Sequence, residues 1–195
     1  MLEVKDATIA IGGKTLAENL SFTARDGQLT CITGDEGCGK TTLLRTLMGF
    51  LPVAQGFVSV DGELLTIYSA HAFRSLMVYL PQQIRMLAHQ LHEPEIAEPE
   101  PEEYVVWNAL LPSVVQEPQP EPLSGEEMFL LAEKTLSEAG DKQIIIADEP
   151  TAYLDSAQTL RMLELLRSEA EKGKTVLVAS RKAQIIAYAN QVIRM

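Results

Sequence analysis

The sequence predicts an α/β fold in which a mainly parallel sheet lies between layers of helices. Three stretches carry this prediction. An apolar strand, a glycine-rich loop and a helix follow one another between residues 28 and 49, Ile144–Asp148 is an apolar run that ends in a carboxylate, and Thr175–Ala179 is apolar and β-branched. Continuous apolar runs of this length are typical of strands that are buried on both faces, as in parallel sheets.

The amino-terminal residues predict a separate antiparallel β subdomain. Leu2–Val4, Thr8–Ile11 and Leu20–Ala24 are short runs rich in apolar and β-branched residues, and the Gly12-Gly13 pair between the last two runs is a turn signal. A second turn then leads into the first strand of the parallel sheet.

The loop after the strand Gln28–Thr33 matches the pattern G-x-x-x-x-G-K-[ST], which cradles phosphate groups. It consists of Gly34, Asp35, Glu36, Gly37, Cys38, Gly39, Lys40, Thr41 and Thr42. Glycines let successive backbone N–H groups turn toward a phosphate chain, and the following helix adds the positive potential of its amino terminus. The pattern assigns Lys40 to the β- and γ-phosphates and the Thr41 hydroxyl to Mg²⁺, so a nucleoside triphosphate is expected here.

Apolar residues at helical spacing indicate the helix after this loop: Leu43, Leu44, Leu47 and Met48. Gly49 is placed to end that helix. A strand Phe57–Val60, a short helix Ser69–Ser75 and a buried strand Leu76–Leu80 follow. Gln82 comes at the carboxyl end of the last strand, which is where ligands lie in open parallel sheets.

The composition changes between residues 83 and 122, which we interpret as a short Pro/Glu-rich lobe inserted in a single domain of 195 residues. Seven of the ten prolines lie in this lobe and exclude a long helix. His89 and His92 have no evident third ligand, so no metal site is predicted there. Two interpretations are open: a solvated loop, or a partner-facing surface made by Val105, Val106, Trp107, Leu110 and Leu111.

Three helices and three strands are predicted after the lobe. The helices cover Ser124–Ala139 and Ser156–Glu171, the strands cover Ile144–Asp148 and Thr175–Ala179, and a short helix and a last strand follow. The apolar stripe of the second helix is expected on Leu160, Leu163, Leu166 and Ala170.

Two acidic residues at the end of a buried strand are candidates for the chemistry. Asp148 is expected near Thr41, where its carboxylate would hold Mg²⁺, usually through water. Glu149 follows directly and is the candidate general base that polarises the attacking water.

The run Leu123-Ser124-Gly125-Glu126-Glu127, followed about twenty residues later by the run from Asp148 to Asp155, resembles the signature, Walker B and D-loop motifs of ABC-type ATPases. Gln82 is similar to the glutamine of that family's Q-loop. The resemblance covers essentially the whole chain. It implies the three-layer core of a P-loop NTPase with a mainly parallel sheet, an amino-terminal antiparallel β subdomain and a short, reduced helical subdomain.

The resemblance also implies partners, because such ATPases work in pairs with ATP between the phosphate loop of one subunit and the signature of the other. A second ATP-binding subunit, identical or different, and an integral membrane permease are therefore expected. Ser124 and Gly125 would contact the nucleotide of the facing subunit. Asp155 would cap the helix that begins at Ser156 and lie at the same interface, and Gln82 would act in catalysis and as a Mg²⁺ ligand. Ser124 and Glu127 also have the spacing of a plain helix capping box.

Three positions depart from the family pattern. Glu126 replaces the second glycine of the signature, and at ~6–8 Å and a dielectric of ~20 its repulsion of a partner's γ-phosphate costs about 2–3 kcal/mol before screening. Arg181 stands at the switch histidine, where a γ-phosphate clamp and a lost switch that points to solvent are both open interpretations. Ile11 stands where an aromatic ring usually stacks on adenine, which puts the preference for that base in doubt.

The overall composition excludes two classes of partner. A net charge of −11 argues against nucleic acid, and no apolar run reaches the roughly 18 residues of a membrane span, so no direct membrane insertion is expected. Cys31 and Cys38 lack metal-ligand spacing, which indicates a reducing compartment. The expected location is cytoplasmic, peripheral on the inner face of the cell membrane through a permease.

The predicted function is the ATP-binding subunit of an ABC transporter, which hydrolyses Mg-ATP to drive transport. The candidate catalytic residues are Glu149, Lys40, Gln82 and Arg181, and Glu126 and Arg181 leave weak turnover open. The alternative is a degenerate nucleotide-binding module with little or no turnover, either half of a heterodimer or a regulator. A soluble member of the family that serves an assembly other than a transporter is a third interpretation.

Overall fold

The computed structural model describes residues 1–82 and 123–195. The elements are β1 (Leu2–Ile11), β2 (Lys14–Ala24), β3 (Leu29–Thr33), α1 (Lys40–Leu47), β4 (Gln55–Val60), β5 (Glu63–Leu64), α2 (Ala70–Ser75), β6 (Met77–Leu80), α3 (Gly125–Ser137), β7 (Ile144–Asp148), α4 (Ser156–Glu171), β8 (Thr175–Ala179), α5 (Ala183–Tyr188) and β9 (Gln191–Arg194). The lobe predicted at residues 83–122, with its candidate apolar surface and its two histidines, lies outside the described residues.

Two sheets organise these elements. The larger sheet is parallel, in the order β6-β7-β8-β3-β9. The smaller sheet is antiparallel, in the order β2-β1-β4-β5. Because parallel strands end at one edge of a sheet, the carboxyl ends of β3, β6, β7 and β8 and the residues that follow them meet there. All residues predicted to bind nucleotide within this chain, except Ile11, lie in these segments.

The parallel sheet separates two apolar clusters, because successive side chains of a strand point to opposite faces. On β7, Ile145 belongs to the cluster that contains Leu131 of α3. Ile146 belongs to the opposite cluster, which contains Leu44 of α1 and Val4 of β1. Helices α3 and α4 thus cover one face, and α1 with the antiparallel sheet covers the other. The predicted α/β fold with a three-layer core is confirmed.

The hairpin of β1 and β2 is longer than predicted. Polar residues interrupt the apolar pattern, but Asp6 (φ 48°) and Asn19 (φ 53°) adopt the left-handed conformation that these residue types tolerate. The register shifts at several points along the pair, so bulges absorb the interruptions and pairing continues to Ile11 and Lys14. This extension carries Ile11 and Leu16 to the phosphate loop.

The predicted apolar stripe of α4 is wrong at Leu160, which is 51% exposed. The buried face follows Thr159, Met162, Leu163 and Leu166 instead. This face keeps the spacing i, i+3, i+4 and i+7, and Leu160 lies one residue beyond it. None of the helices in the described ranges has the length and hydropathy that a membrane span requires.

Candidate functional site

The phosphate loop places a lysine ammonium inside its own backbone. Lys40 begins α1, is largely buried, and donates through Nζ to the carbonyl oxygens of Gly34 and Asp35, both at 3.0 Å. Its third contact, Cys38 Sγ at 3.9 Å, is a weak acceptor. The ammonium N–H group that lacks a strong acceptor here is therefore the one best suited to donate to a phosphate oxygen. Gly39 (φ 105°) caps α1 in a left-handed conformation, where a Cβ would lie 2.8 Å from a Leu16 methyl group.

Thr41 and Asp148 come together across the edge of the parallel sheet, as predicted. Thr41 Oγ1 donates to Asp148 Oδ2 at 2.7 Å, although 107 residues separate them. The second carboxylate oxygen, Oδ1, is buried and has no hydrogen-bond partner in the described part of the chain. A buried oxygen without a partner is costly, and a divalent cation is the ligand that would satisfy it.

The oxygen set at this point fits Mg²⁺. A carboxylate and a hydroxyl lie side by side, and the Gln82 amide lines the same cavity, so all three candidate ligands offer hard oxygen atoms. Burial raises the pKa of the Asp148 carboxyl, against the hydrogen bond from Thr41 and the positive charges of Arg45 and Lys40. A bound cation would relieve that cost of burying the charge.

Replacing Asp148 by asparagine should raise the melting temperature of the nucleotide-free protein, by about 2–4 °C for each kcal/mol of charge burial removed. Asparagine keeps an acceptor for Thr41 Oγ1 but carries no charge. The raised pKa means that the folded protein binds the proton more tightly than the unfolded chain. The penalty is complete above the folded-state pKa, shrinks as the pH falls through it, and is absent below the ordinary carboxyl value of 3.8.

The measurement is thermal melting of both proteins from pH 8 to pH 5, with Asp141→Asn as the control for an exposed acid. The advantage of Asp148→Asn should narrow toward low pH, and the variant should lose any Mg²⁺ dependence of nucleotide binding. A variant that melts below the wild type at pH 7 would contradict the assignment of a costly buried charge.

Glu149 is held in an unusual backbone conformation. Its φ of 46° lies in the left-handed region, which costs a residue other than glycine about 1–3 kcal/mol and occurs at functional sites. Its N–H donates to Ala179 O at 2.9 Å, and its Oε2 accepts from Ser180 Oγ at 3.1 Å. Both partners follow or end β8, so the neighbouring strand fixes the direction of this carboxylate.

Arg181 points neither fully into solvent nor fully into the protein. Its side chain is 52% exposed, Nη1 donates to Glu36 Oε2 at 3.0 Å, and Nε lies 3.8 Å from Glu149 Oε1. The guanidinium thus lies between the phosphate loop and the candidate base. The γ-phosphate clamp and the lost switch both stay predictions, because the side chain is half exposed and its contacts here are with carboxylates.

A cavity of about 330 Å³ joins these groups. Its walls come from β1, β2, the phosphate loop, and the residues that follow β6, β7 and β8. The lining residues are Ile11, Leu16, Glu36, Gly37, Gly39, Lys40, Thr41, Thr42, Gln82, Asp148, Glu149 and Arg181. The apolar side chains of this lining are Ile11 and Leu16, and the charged ones are Glu36, Lys40, Asp148, Glu149 and Arg181.

Six predicted site residues do not line this cavity. Gly34, Asp35 and Cys38 belong to the phosphate loop, whereas Ser124, Gly125 and Asp155 lie at the amino termini of α3 and α4. Ser124 Oγ accepts from Glu127 N at 3.3 Å while the Glu127 carboxylate accepts from Ser124 N at 2.7 Å, so the predicted capping box is confirmed. Asp155 Oδ1 caps α4 by accepting from Gln158 N at 2.8 Å.

The two helix starts are joined by further contacts. A Cβ at Gly125 would lie 2.2 Å from Gln158 Oε1, so only glycine allows this approach without displacing the glutamine. Arg161 Nη1 contacts both carboxylate oxygens of Glu126, at 3.1 and 2.9 Å, and its guanidinium lies 4.1 Å from the centre of the Phe129 ring. A cation from the same chain therefore compensates the charge that Glu126 adds to the signature.

Sequence reasoning missed three residues that shape the site. Leu16 packs against Gly39, Ser180 orients Glu149, and Lys182 Nζ donates to Thr151 O and reaches Leu154 O at 3.4 Å. Leu16 interrupts a polar stretch, and Ser180 and Lys182 flank Arg181, but none belongs to a motif with a chemical signature.

A strand, a lysine-bearing glycine loop, a helix and a strand-end aspartate beside the loop threonine define a P-loop nucleoside triphosphatase. The profile of a family described as "ABC transporter" matches residues 17–152, which is more than half of the chain. The chain belongs to the ABC transporter family, as an ATP-binding cassette.

Individual relatives agree with this placement. A putative ABC transporter ATP-binding protein of Treponema denticola is 33% identical over 94% of this chain, which spans 38% of that protein's length. The hemin import ATP-binding protein HmuV of Methylobacillus flagellatus is 32% identical over 92% of this chain and 73% of that protein. A dimeric, post-hydrolysis structure of the ATP-binding cassette MJ0796 bound to ADP and Pi aligns with a TM-score of 0.71 at 21% identity, over 100% of this chain and 94% of that one. At that identity the structural likeness supports the fold.

Proposed function

We propose that this chain hydrolyses Mg-ATP and drives transport through an integral membrane permease. One observation carries the proposal: a buried carboxylate with an unpartnered oxygen lies 2.7 Å from the loop threonine, and an oriented glutamate follows it directly in the chain. The proposed location is cytoplasmic, at the inner face of the cell membrane, where a permease would hold the chain.

Backbone and side-chain groups would both contribute to binding of Mg-ATP. The N–H groups of the phosphate loop and the Lys40 ammonium would hold the β- and γ-phosphates, and Ile11 would lie against the base. Thr41, Asp148 and Gln82 would hold Mg²⁺, directly or through water. Bound Mg²⁺ supplies neutralisation of the charge that develops on the phosphate oxygens.

Glu149 is the proposed general base. Ser180 Oγ donates to Oε2, which leaves Oε1 as the atom that would accept a hydrogen bond from water and then its proton. Arg181 is proposed to contact the γ-phosphate, because its guanidinium already lines the cavity within 3.8 Å of that carboxylate.

Ser124, Gly125 and Asp155 are proposed to serve the nucleotide of a second ATP-binding subunit. They lie outside the cavity of their own chain, at two helix starts that each carry the positive end of a helix dipole. The structural relative MJ0796 is dimeric. A pair of subunits would complete each site with these residues.

Replacing Arg161 by glutamine should weaken ATP-dependent dimerisation about two- to five-fold, because it leaves the Glu126 carboxylate uncompensated beside the partner's phosphate. The expected loss of dimerisation free energy is well below the repulsion of about 2–3 kcal/mol calculated before screening, since salt and water screen exposed charges. Arg167→Gln is the matched control, because Arg167 lies on the same helix and pairs with Glu171 at 3.2 Å.

Sedimentation with ATP, in a Glu149→Gln background that keeps ATP intact, measures the dimer dissociation constant. Adding Glu126→Gln should restore the affinity that Arg161→Gln removes. An equal loss in Arg167→Gln, or no rescue, would show that the charge of Glu126 does not act on the dimer.

The second candidate is a nucleotide-binding module with little or no turnover. The observation that favours it is the contact between Arg181 Nε and Glu149 Oε1 at 3.8 Å, because a guanidinium at this position competes with the attacking water for the carboxylate oxygen that Ser180 does not contact.

Turnover of Mg-ATP by the purified chain, alone and with a co-expressed permease, separates the two functions. The hydrolase should release phosphate in a Mg²⁺-dependent reaction. Nucleotide binding with a rate of phosphate release equal to that of Glu149→Gln, with the permease present, would leave the binding module as the function.

A further inference from the structure

The phosphate loop of this chain contains a carboxylate that opposes its own ligand. Glu36 lies between Gly34 and Gly37, lines the cavity, and has a side chain that is 84% exposed. A loop that collects phosphate oxygens gains nothing from a negative charge, since like charges a few ångströms apart repel even after screening. A positively charged group near Glu36 would reduce this repulsion.

That group belongs to Arg181, which lies 145 residues further along the chain. Nη1 donates to Glu36 Oε2 at 3.0 Å, while Nε is 3.8 Å from Glu149 Oε1. The guanidinium therefore has two carboxylates available, one on the loop that holds the phosphates and one on the residue that faces the terminal phosphate. Each edge of a guanidinium can form a paired, in-plane contact with only one anion at a time.

We infer that Glu36 and Arg181 act as one unit that determines the preference of this site for triphosphate over diphosphate. The inference rests on the proposed function. A γ-phosphate beside Glu149 competes with Glu36 for the guanidinium of Arg181. The phosphate replaces the Glu36 carboxylate as the partner, because it carries more charge and accepts hydrogen bonds from two N–H groups of the guanidinium. A diphosphate ends short of Arg181 and leaves the Glu36–Arg181 pair closed.

The consequence is a coupling between two substitutions. The ion pair with Glu36 weakens the attraction between Arg181 and the γ-phosphate, so Glu36→Gln should strengthen that attraction. The ratio of triphosphate to diphosphate affinity should rise about two- to five-fold, as expected for the loss of one exposed ion pair. Arg181→Gln should lower the ratio about ten-fold or more, because it removes a charge-assisted contact made only to triphosphate.

The experiment measures dissociation constants for Mg²⁺ complexes of a non-hydrolysable ATP analogue and of ADP by calorimetry. Four proteins are compared: the wild type, Glu36→Gln, Arg181→Gln and the double variant. Glu63→Gln, an exposed acid on β5 away from the cavity, controls for the change in net charge. In the Arg181→Gln background, Glu36→Gln should change the affinity ratio much less than it does in the wild type.

Two results would overturn the inference. Glu36→Gln could change the affinity ratio equally with and without Arg181, which would mean that the two residues act independently. It could also strengthen ADP binding as much as analogue binding, which would mean general repulsion only. Both results are compatible with Mg-ATP turnover and leave the proposed function intact, whereas absence of nucleotide binding by the wild type would remove both.

Discussion

Replacing Glu149 by glutamine should lower the rate of Mg-ATP hydrolysis by about 10²–10⁴-fold while nucleotide binding is retained. Glutamine has the same shape and can still accept a hydrogen bond from Ser180 Oγ, but an amide cannot take a proton from water. The side chain is 15% exposed at the cavity wall, so bulk water is a poor substitute for the missing base. The left-handed backbone at this position is unchanged by the substitution, so the fold should persist.

Phosphate release under saturating Mg-ATP measures the rate, and calorimetry with the same nucleotide measures binding. Glu164→Gln, an exposed acid on α4, is the matched control and should behave as the wild type. Ser180→Ala should give an intermediate rate, because it removes the donor that orients the carboxylate but leaves the base. Equal rates for Glu149→Gln and the wild type would exclude Glu149 as the base.

Replacing Lys40 by methionine should weaken triphosphate binding about 10²-fold or more. The ammonium is positioned by the carbonyl oxygens of Gly34 and Asp35, and hydrogen bonds from a charged donor contribute about 1.5–3 kcal/mol each. Methionine keeps most of the buried stem, so the loss reports on the charge. Diphosphate should lose less affinity, since it presents fewer oxygens to the ammonium.

Titration calorimetry measures this loss, and thermal melting in the absence of nucleotide tests whether the loop remains folded. Lys134→Met, an exposed lysine on α3, is the control for a change of charge. A folded Lys40→Met protein with a dissociation constant within about three-fold of the wild type would contradict the role given to the phosphate loop.

Local patterns predicted much of the site because their chemistry is local. The loop from Gly34 to Thr42, the capping box of Ser124 and Glu127, and the cap at Asp155 each depend on residues within a few positions of one another. Even the distant contact of Thr41 with Asp148 could be predicted, since the loop threonine and the strand-end aspartate are the two residue types expected at the same Mg²⁺ ion in a phosphate-loop site.

Pairs of charged or polar side chains from different elements could not be predicted in this way. Glu126 was expected to repel phosphate, but Arg161 of α4 compensates it from 35 residues away. Ser180 bonds Glu149 only because β7 and β8 are neighbours in register, with Asp148 beside Ala179. Periodicity does not specify which strands are neighbours, so such contacts leave no signal in the sequence.

Patterns within a few residues were enough to predict a phosphate loop, a carboxylate at a strand end and two capped helix starts, because backbone conformation and helix capping are decided locally. What Arg181 faces depends instead on the folded chain. Strand order brings the residue after β8 between Glu36 and Glu149, at 3.0 and 3.8 Å, and a side chain's charge partners depend on distances in space that linear spacing does not record.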